Sequence, residues 1–325
     1  MKHGALLLAA TGLAWMAGPV AAATQLDKDD WLIFGRVGGA QQPDGNSIVM
    51  TGPKGAVVFD TGRHKAQSDA IEQLLRETNK PLVAIVNSHW HLDHVSGNPR
   101  LKAVYPGVQV WASNAINEAL TGFLKRGADD DRAAIAENKE PAAQLDERRI
   151  DLATVEAGDR LKPDHVVTGT RMVTLAGRRF ELHLARRAAT EGDVWLYDSA
   201  HKRAVVGDLV TFPAPFLDTA CPKGWKAALA DVAATPFTSL IPGHGPVMDR
   251  AAFAAWRGAF SAFVDCSEGD AALETCTAGW AAYARTVDLA GAGIDGRDAA
   301  AYADYYAGLL RSHKLDVNCG AGTAA

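Results

Sequence analysis

Along much of the chain, short apolar blocks alternate with turns rich in Gly, Pro and Asp, the pattern of buried strands. Trp31-Leu32-Ile33-Phe34, Ser47-Ile48-Val49-Met50 and Ala56-Val57-Val58-Phe59 predict three strands. The third ends in Asp60-Thr61-Gly62, after which Ala70, Ile71, Leu74 and Leu75 take helical spacing over residues 65–77. Pro81-Leu82-Val83-Ala84-Ile85-Val86 predicts a further buried strand. Beyond it come a short helix opened by Ser96-Gly97-Asn98-Pro99, a strand at Val108-Gln109-Val110-Trp111 and a helix over 114–124. Residues 127–149, dense in Asp and Glu, read as a solvated helical insertion with an exposed face and no chemistry.

A second β-rich half is predicted to run from Val166-Val167 through Met172-Val173-Thr174-Leu175, residues 180–184 and residues 194–197 to Ala204-Val205-Val206. That last strand ends in Gly207-Asp208, much as Ala56-Val57-Val58 ends in Phe59-Asp60, a short echo that hints at a duplicated β unit. The loop 211–225 carries three prolines, Phe212, Phe216, Cys221 and Trp225. A helix over 226–234 then leads to Ser239-Leu240-Ile241 and to Pro242-Gly243-His244-Gly245-Pro246. From Met248 the composition turns Ala-rich, and helices are predicted over 250–264, 271–287 and 298–310. The chain therefore divides into a leader (1–23), a β-rich domain (24–249) and a helical C-terminal extension (250–325). Its last residues, 320–325, are expected to lack order.

The leader changes the context. Met1-Lys2-His3, a small apolar run and Ala21-Ala22-Ala23 have the layout of a secretory signal peptide cut after Ala23. A membrane anchor is the alternative, but Gly12, Gly18 and Pro19 interrupt the run and no basic stop follows. A periplasmic or secreted protein is expected. Losing Lys2 takes the formal charge from −5 to −6, which gives no reason to expect nucleic acid or an anionic membrane as partner. Four cysteines in an exported chain suggest two disulfides among three possible pairings. Cys266–Cys276 closes a short loop and would leave Cys221 to tether Cys319; thiolate ligation of a metal is the other reading, without Cys-x-x-Cys spacing to support it.

The densest chemistry is Asn87-Ser88-His89-Trp90-His91-Leu92-Asp93-His94, directly after a predicted strand. Imidazoles and a carboxylate are good ligands for zinc or a similar metal. A lone histidine there would be an ordinary core residue; three with an aspartate at this spacing argue for a metal centre. Asp208 and His244 stand at later strand ends, flanked by Gly207, Gly243 and Gly245, where close backbone approach is needed.

These elements, in this order, resemble the metallo-β-lactamase-fold hydrolases over Trp31 to about Met248. The resemblance implies a four-layer α/β/β/α sandwich with a metal site at one edge. It also implies that His89 and His91 belong to a first metal site, that Asp93, His94 and His244 form a second, that Asp208 bridges the two, and that Asp60 lies buried behind them. One position departs from the family. A histidine expected from a His-Thr-x-Gly-Asp turn is here Ala189, in Ala189-Thr190-Glu191-Gly192-Asp193. His183 lies roughly 20 Å back along its strand and His201 in a far hairpin, so neither replaces it. Glu191 is near enough to offer a carboxylate.

The expectation is therefore one zinc ion in the second site, with a weak or absent second ion and with iron or manganese as alternatives. An exported hydrolase of a small ester, lactone, β-lactam or related bond follows, with His89, His91 or Asp93 handling the attacking water. Trp90, Phe212, Phe216 and Trp225 are candidate walls for a small-molecule pocket. The rival expectation is a catalytically impaired metal-binding or accessory protein of the same fold.

Overall fold

A computed structural model describes residues 23–38 and 41–320. The leader before Ala23 and the tail after Gly320 lie outside them. The first half runs β1 (Ala23–Gln25), β2 (Asp30–Ile33), β3 (Ser47–Gly52), β4 (Gly55–Phe59), α1 (Lys65–Glu77), β5 (Leu82–Val86), α2 (Leu92–Val95), α3 (Asn98–Val104), β6 (Gln109–Ala112), α4 (Ala115–Thr121), α5 (Phe123–Glu137), α6 (Ala142–Glu156) and β7 (His165–Val166). The second runs β8 (Arg171–Leu175), β9 (Arg178–Arg186), β10 (Gly192–Asp198), β11 (Arg203–Gly207), α7 (Pro222–Ala234), β12 (Ser239–Pro242), α8 (Arg250–Glu268), α9 (Leu273–Ala284), α10 (Ala299–Arg311) and α11 (Asp316–Cys319).

The strands form two sheets, ordered β1-β2-β3-β4-β5-β6-β7 and β12-β11-β10-β9-β8. Strand alternation explains the layering. In β4, Val57 and Phe59 face Phe180, Leu196 and Val205 of the other sheet. Ala56 and Val58 face outward onto Ile71, Leu74 and Leu75 of α1 and Leu101 of α3. In β10, Val194 and Leu196 enter the space between the sheets. Trp195 and Tyr197 face Trp225 of α7, Trp256 and Phe260 of α8, and Trp280 of α9. The result is the expected α/β/β/α sandwich, and the C-terminal helices share one core with the second sheet.

The short sequence echo has a structural counterpart. β4 pairs antiparallel with β3 and parallel with β5, as β11 pairs antiparallel with β10 and parallel with β12. Each ends in a left-handed residue, Asp60 (φ 57°) or Gly207 (φ 53°), that turns the chain toward one edge. Both cysteine pairs form as anticipated, Cys266–Cys276 and Cys221–Cys319, so none of the four cysteines remains as a thiolate ligand.

Two expectations are corrected. Val166 belongs to the first sheet, because β7 pairs parallel with β6; the crossing to the second sheet follows it. The acidic insertion is helical and divides in two, since Asn138 takes the left-handed C-cap of α5 (φ 51°) and Pro141, which lacks an N–H, precedes α6. Nor is it merely a solvated face: Leu124, Ala128, Asp131, Asp151 and Val155 of this hairpin wall a cavity beside the histidines.

At the opposite edge, fully buried Asp30 is gripped by Arg178 and Arg203, and these also bind Asp198 and Asp27. This network joins β2 to β9 and β11, hence one sheet to the other. Asp30→Ala leaves two guanidiniums short of a buried partner and is expected to cost about 3 kcal/mol of stability, read by urea unfolding. An unchanged midpoint would mean that the network contributes nothing net.

Candidate metal centre

Parallel pairing of β4 with β5, and of β11 with β12, brings four strand ends to one edge. Asp60 follows β4, His89 follows β5, Asp208 follows β11 and His244 follows β12. Asp93 and His94 come from the single-turn helix α2, whose N-cap is His91. The approach is close enough to require glycine. A Cβ on Gly243 would sit 2.0 Å from Asp208 Oδ1, and one on Gly207 would sit 2.4 Å from Ser88 Cβ.

The hydrogen bonds around Asp60 decide which ring nitrogens are free. Asp60 accepts from the backbone N–H (2.7 Å) and the hydroxyl (2.6 Å) of Ser88, and its Oδ2 lies 2.8 Å from His94 Nδ1. Because the Ser88 hydroxyl donates to Asp60, it can only accept from His89 Nδ1, 2.9 Å away. Both Nδ1 atoms therefore carry protons, and both Nε2 atoms face inward. His89 Nε2, His94 Nε2 and Asp208 Oδ1 are buried without hydrogen-bond partners. His94 Nε2 lies 3.2 Å from Asp208 Oδ1 and 3.5 Å from Asp93 Oδ2, and His244 Nε2 lies 3.0 Å from Asp93 Oδ2.

Two overlapping sets have ligand atoms within 4.8 Å of one another: His89, His94 and Asp208, and Asp93, His94 and His244. Orphaned, inward-facing nitrogens beside carboxylates fit a divalent ion. The electrostatics agree. Burial opposes charge on His94, but Asp208, Asp93 and Asp60 outweigh it and hold the imidazole well above its ordinary pKa. Burial likewise opposes charge on Asp208 and Asp93, yet the surrounding imidazoles keep both below the usual carboxylate range. The cage calls for positive charge.

His91 is outside both sets. Its Nε2 lies 3.0 Å from Thr219 Oγ1, and that hydroxyl donates to the Ala189 carbonyl at 3.0 Å. Thr219 must then accept from His91, which fixes the proton on Nε2 and removes that lone pair from ligation. Ala189 itself is buried in the core with Leu217 and Ala220. The rest of its turn is intact, with Asp193 accepting from the N–H (2.9 Å) and hydroxyl (3.1 Å) of Thr190. Glu191 is engaged through one oxygen, its Oε2 accepting from Trp90 Nε1 at 2.9 Å.

A cavity of about 390 Å³ adjoins these groups, lined by Trp90, His91, Asp93, Phe123, Asp208 and Phe216 among others. Trp90 and Phe216 are thus walls, whereas Phe212 and Trp225 are fully buried core. Sequence reading missed Thr219, which no motif marks, and the pair Arg63-His64. Arg63 binds Asp151, and His64 is held between Asp44 (2.7 Å) and Glu147 (2.9 Å), fastening the α5–α6 hairpin over the cavity. Their place directly after Asp60-Thr61-Gly62 was the available signal.

A family model described as the metallo-beta-lactamase superfamily matches residues 41–261. A hydroxyacylglutathione hydrolase from Gloeobacter violaceus is 36% identical over 69 residues, 21% of this chain and 27% of that protein, so the match spans about a quarter of that relative. A metallo-β-lactamase from Pontibacter korlensis superposes with a TM-score of 0.52 at 19% identity, covering 72% of this chain and 95% of that one. An inverting sec-alkylsulfatase from Pseudomonas sp. gives 0.57 at 16% identity, covering 91% of this chain but 52% of its own. At such identities the structural likeness speaks to fold alone.

Asp60→Asn keeps the shape but loses the charge that holds the proton on His94 Nδ1. Zinc affinity, measured by competition with a chromogenic chelator, is expected to fall by roughly 10- to 100-fold. Unchanged affinity would remove Asp60 from any role in orienting His94.

Proposed function

The chain belongs to the metallo-β-lactamase superfamily, and on that premise we propose that it is a zinc-dependent hydrolase using one tightly held ion. The ion's ligands are Asp93, His94, Asp208 and His244, with His89 beside it and a second ion weak or absent. The observation that carries this reading is the division among the histidines. His89 and His94 keep unpaired Nε2 atoms, whereas His91 Nε2 is committed to Thr219. The closeness of ligand atoms on five of the six expected donors supports this reading, as does the engagement of the sixth, His91, with Thr219.

A divalent ion in this cage supplies Lewis acidity toward a substrate oxygen and a water acidic enough to react near neutral pH. The protein's own groups do the rest. Asp60 and Ser88 hold His94 and His89 in the orientation that presents Nε2. With its proton on Nε2, His91 has its lone pair on Nδ1, and burial keeps the ring neutral. It is therefore suited to take a proton from an attacking water, a role shared as candidates by Asp93 and His89. The α5–α6 hairpin walls one side of the cavity.

The bond cleaved is that of a small ester, lactone, β-lactam or related acyl compound, in keeping with a cavity of about 390 Å³. Two disulfides support a periplasmic or secreted location. Ala189 also favours a second reading, a metal-binding accessory protein without catalysis.

Elemental analysis and a substrate panel separate the two. The proposal expects about one zinc per chain after dialysis, with turnover of at least one aryl ester, lactone, thioester or β-lactam. One zinc with no turnover across the panel supports the accessory reading; no zinc contradicts both. Ala189→His combined with Thr219→Val rebuilds the first site and is expected to raise zinc uptake from one ion to two. No rise would mean that the turn at Ala189 is not the vacant position.

A further inference from the structure

Resting on the reading of this cavity as the substrate site, we propose that the substrate has an apolar or aromatic body and carries a cationic group, which Asp218 anchors. Asp218 stands at the cavity wall, one residue before the Thr219 that holds His91. Both of its carboxylate oxygens face phenols, Tyr306 at 2.6 Å and Tyr305 at 3.4 Å. Among the described residues no Lys, Arg or His pairs with it. Hydroxyl donors fix its position while leaving its charge uncompensated.

The walls carry the argument further. The cation lining this cavity is Arg63, already bound to Asp151. An adjoining space of about 370 Å³ shares Gln42, Pro43, Asp131, Asp151 and Phe216 with the first, and its cation, Arg148, is taken by Glu140 and Asp131. Among the described residues, the linings of these two spaces present no Lys or Arg without a carboxylate partner. An anionic molecule such as an alkyl sulfate would find no counter-charge outside the metal itself. Asp93 and Asp208 balance a divalent ion, which leaves Asp218 as surplus negative charge.

The remaining surfaces are aromatic. Trp90 meets Phe123 at 5.4 Å between ring centroids, and Phe216 meets Tyr302 at 5.7 Å. Phe123, on the cavity wall, and Tyr305, beside Asp218, are about half exposed. Aromatic faces beside an unpaired carboxylate suit an ammonium group attached to an apolar frame.

The test is calorimetric titration of zinc-loaded protein with 2-phenylethylammonium and, as a neutral counterpart of similar size, 2-phenylethanol. The ammonium is expected to bind roughly fivefold more tightly, as befits an exposed ion pair aided by aromatic faces. That preference should shrink when salt is raised from about 0.05 to about 0.5 M, and it should vanish in Asp218→Asn while the thermal midpoint is retained. Equal binding of the two probes, or a preference that survives Asp218→Asn, overturns the proposal. Neither probe is hydrolysed, so this outcome is independent of turnover, whereas the hydrolase reading fails on missing zinc or a silent substrate panel.

Discussion

The carboxylate of Asp60, turned inward by a left-handed residue at the end of β4, decides which atoms of the site are free. By accepting from Ser88 and His94 it fixes protons on the outer nitrogens of two imidazoles and aims their Nε2 atoms into a shared space. Two further carboxylates, Asp93 and Asp208, enter the same space. A buried set of this kind is costly without positive charge, since unpaired polar atoms and buried charge both oppose folding. The structure answers that need in one way, by gathering ligands suited to a divalent ion, and the tight turns at Gly207 and Gly243 exist to let them meet.

The same hydrogen-bond logic, applied to His91, gives the opposite result. Thr219 and the Ala189 carbonyl turn its Nε2 into a donor. Ala189 is packed among small core residues, and the imidazole of His91 is held by Thr219. That arrangement is the ground for proposing a single tightly held ion, and it keeps a neutral ring beside the cavity. The helical hairpin, fastened through Arg63 and His64, then shapes what can reach that ring.

Much of this was legible in the sequence. Continuous apolar blocks marked the strands because each sheet is covered on both faces, and the places of the histidine motif, Asp208 and His244 at strand ends could be read without coordinates. What sequence could not supply was the contact between His91 and Thr219, 128 residues apart, because a single threonine in a loop carries no pattern. Nor could charge density reveal that the acidic insertion turns Leu124, Ala128 and Val155 inward, since its apolar stripe is short and its outer face dominates the composition. Val166 was assigned to the wrong sheet for a similar reason: a two-residue strand has no periodicity to betray its partner.

The central claim is that one ion sits among Asp93, His94, Asp208 and His244 while His91 stays bound to Thr219. Diffraction from zinc-soaked crystals, recorded on both sides of the zinc absorption edge, tests it most directly. A single strong anomalous peak within that ligand set, with the His91–Thr219 hydrogen bond intact, is the expected result. A peak held by His89 and His91, or two peaks of equal strength, would contradict it.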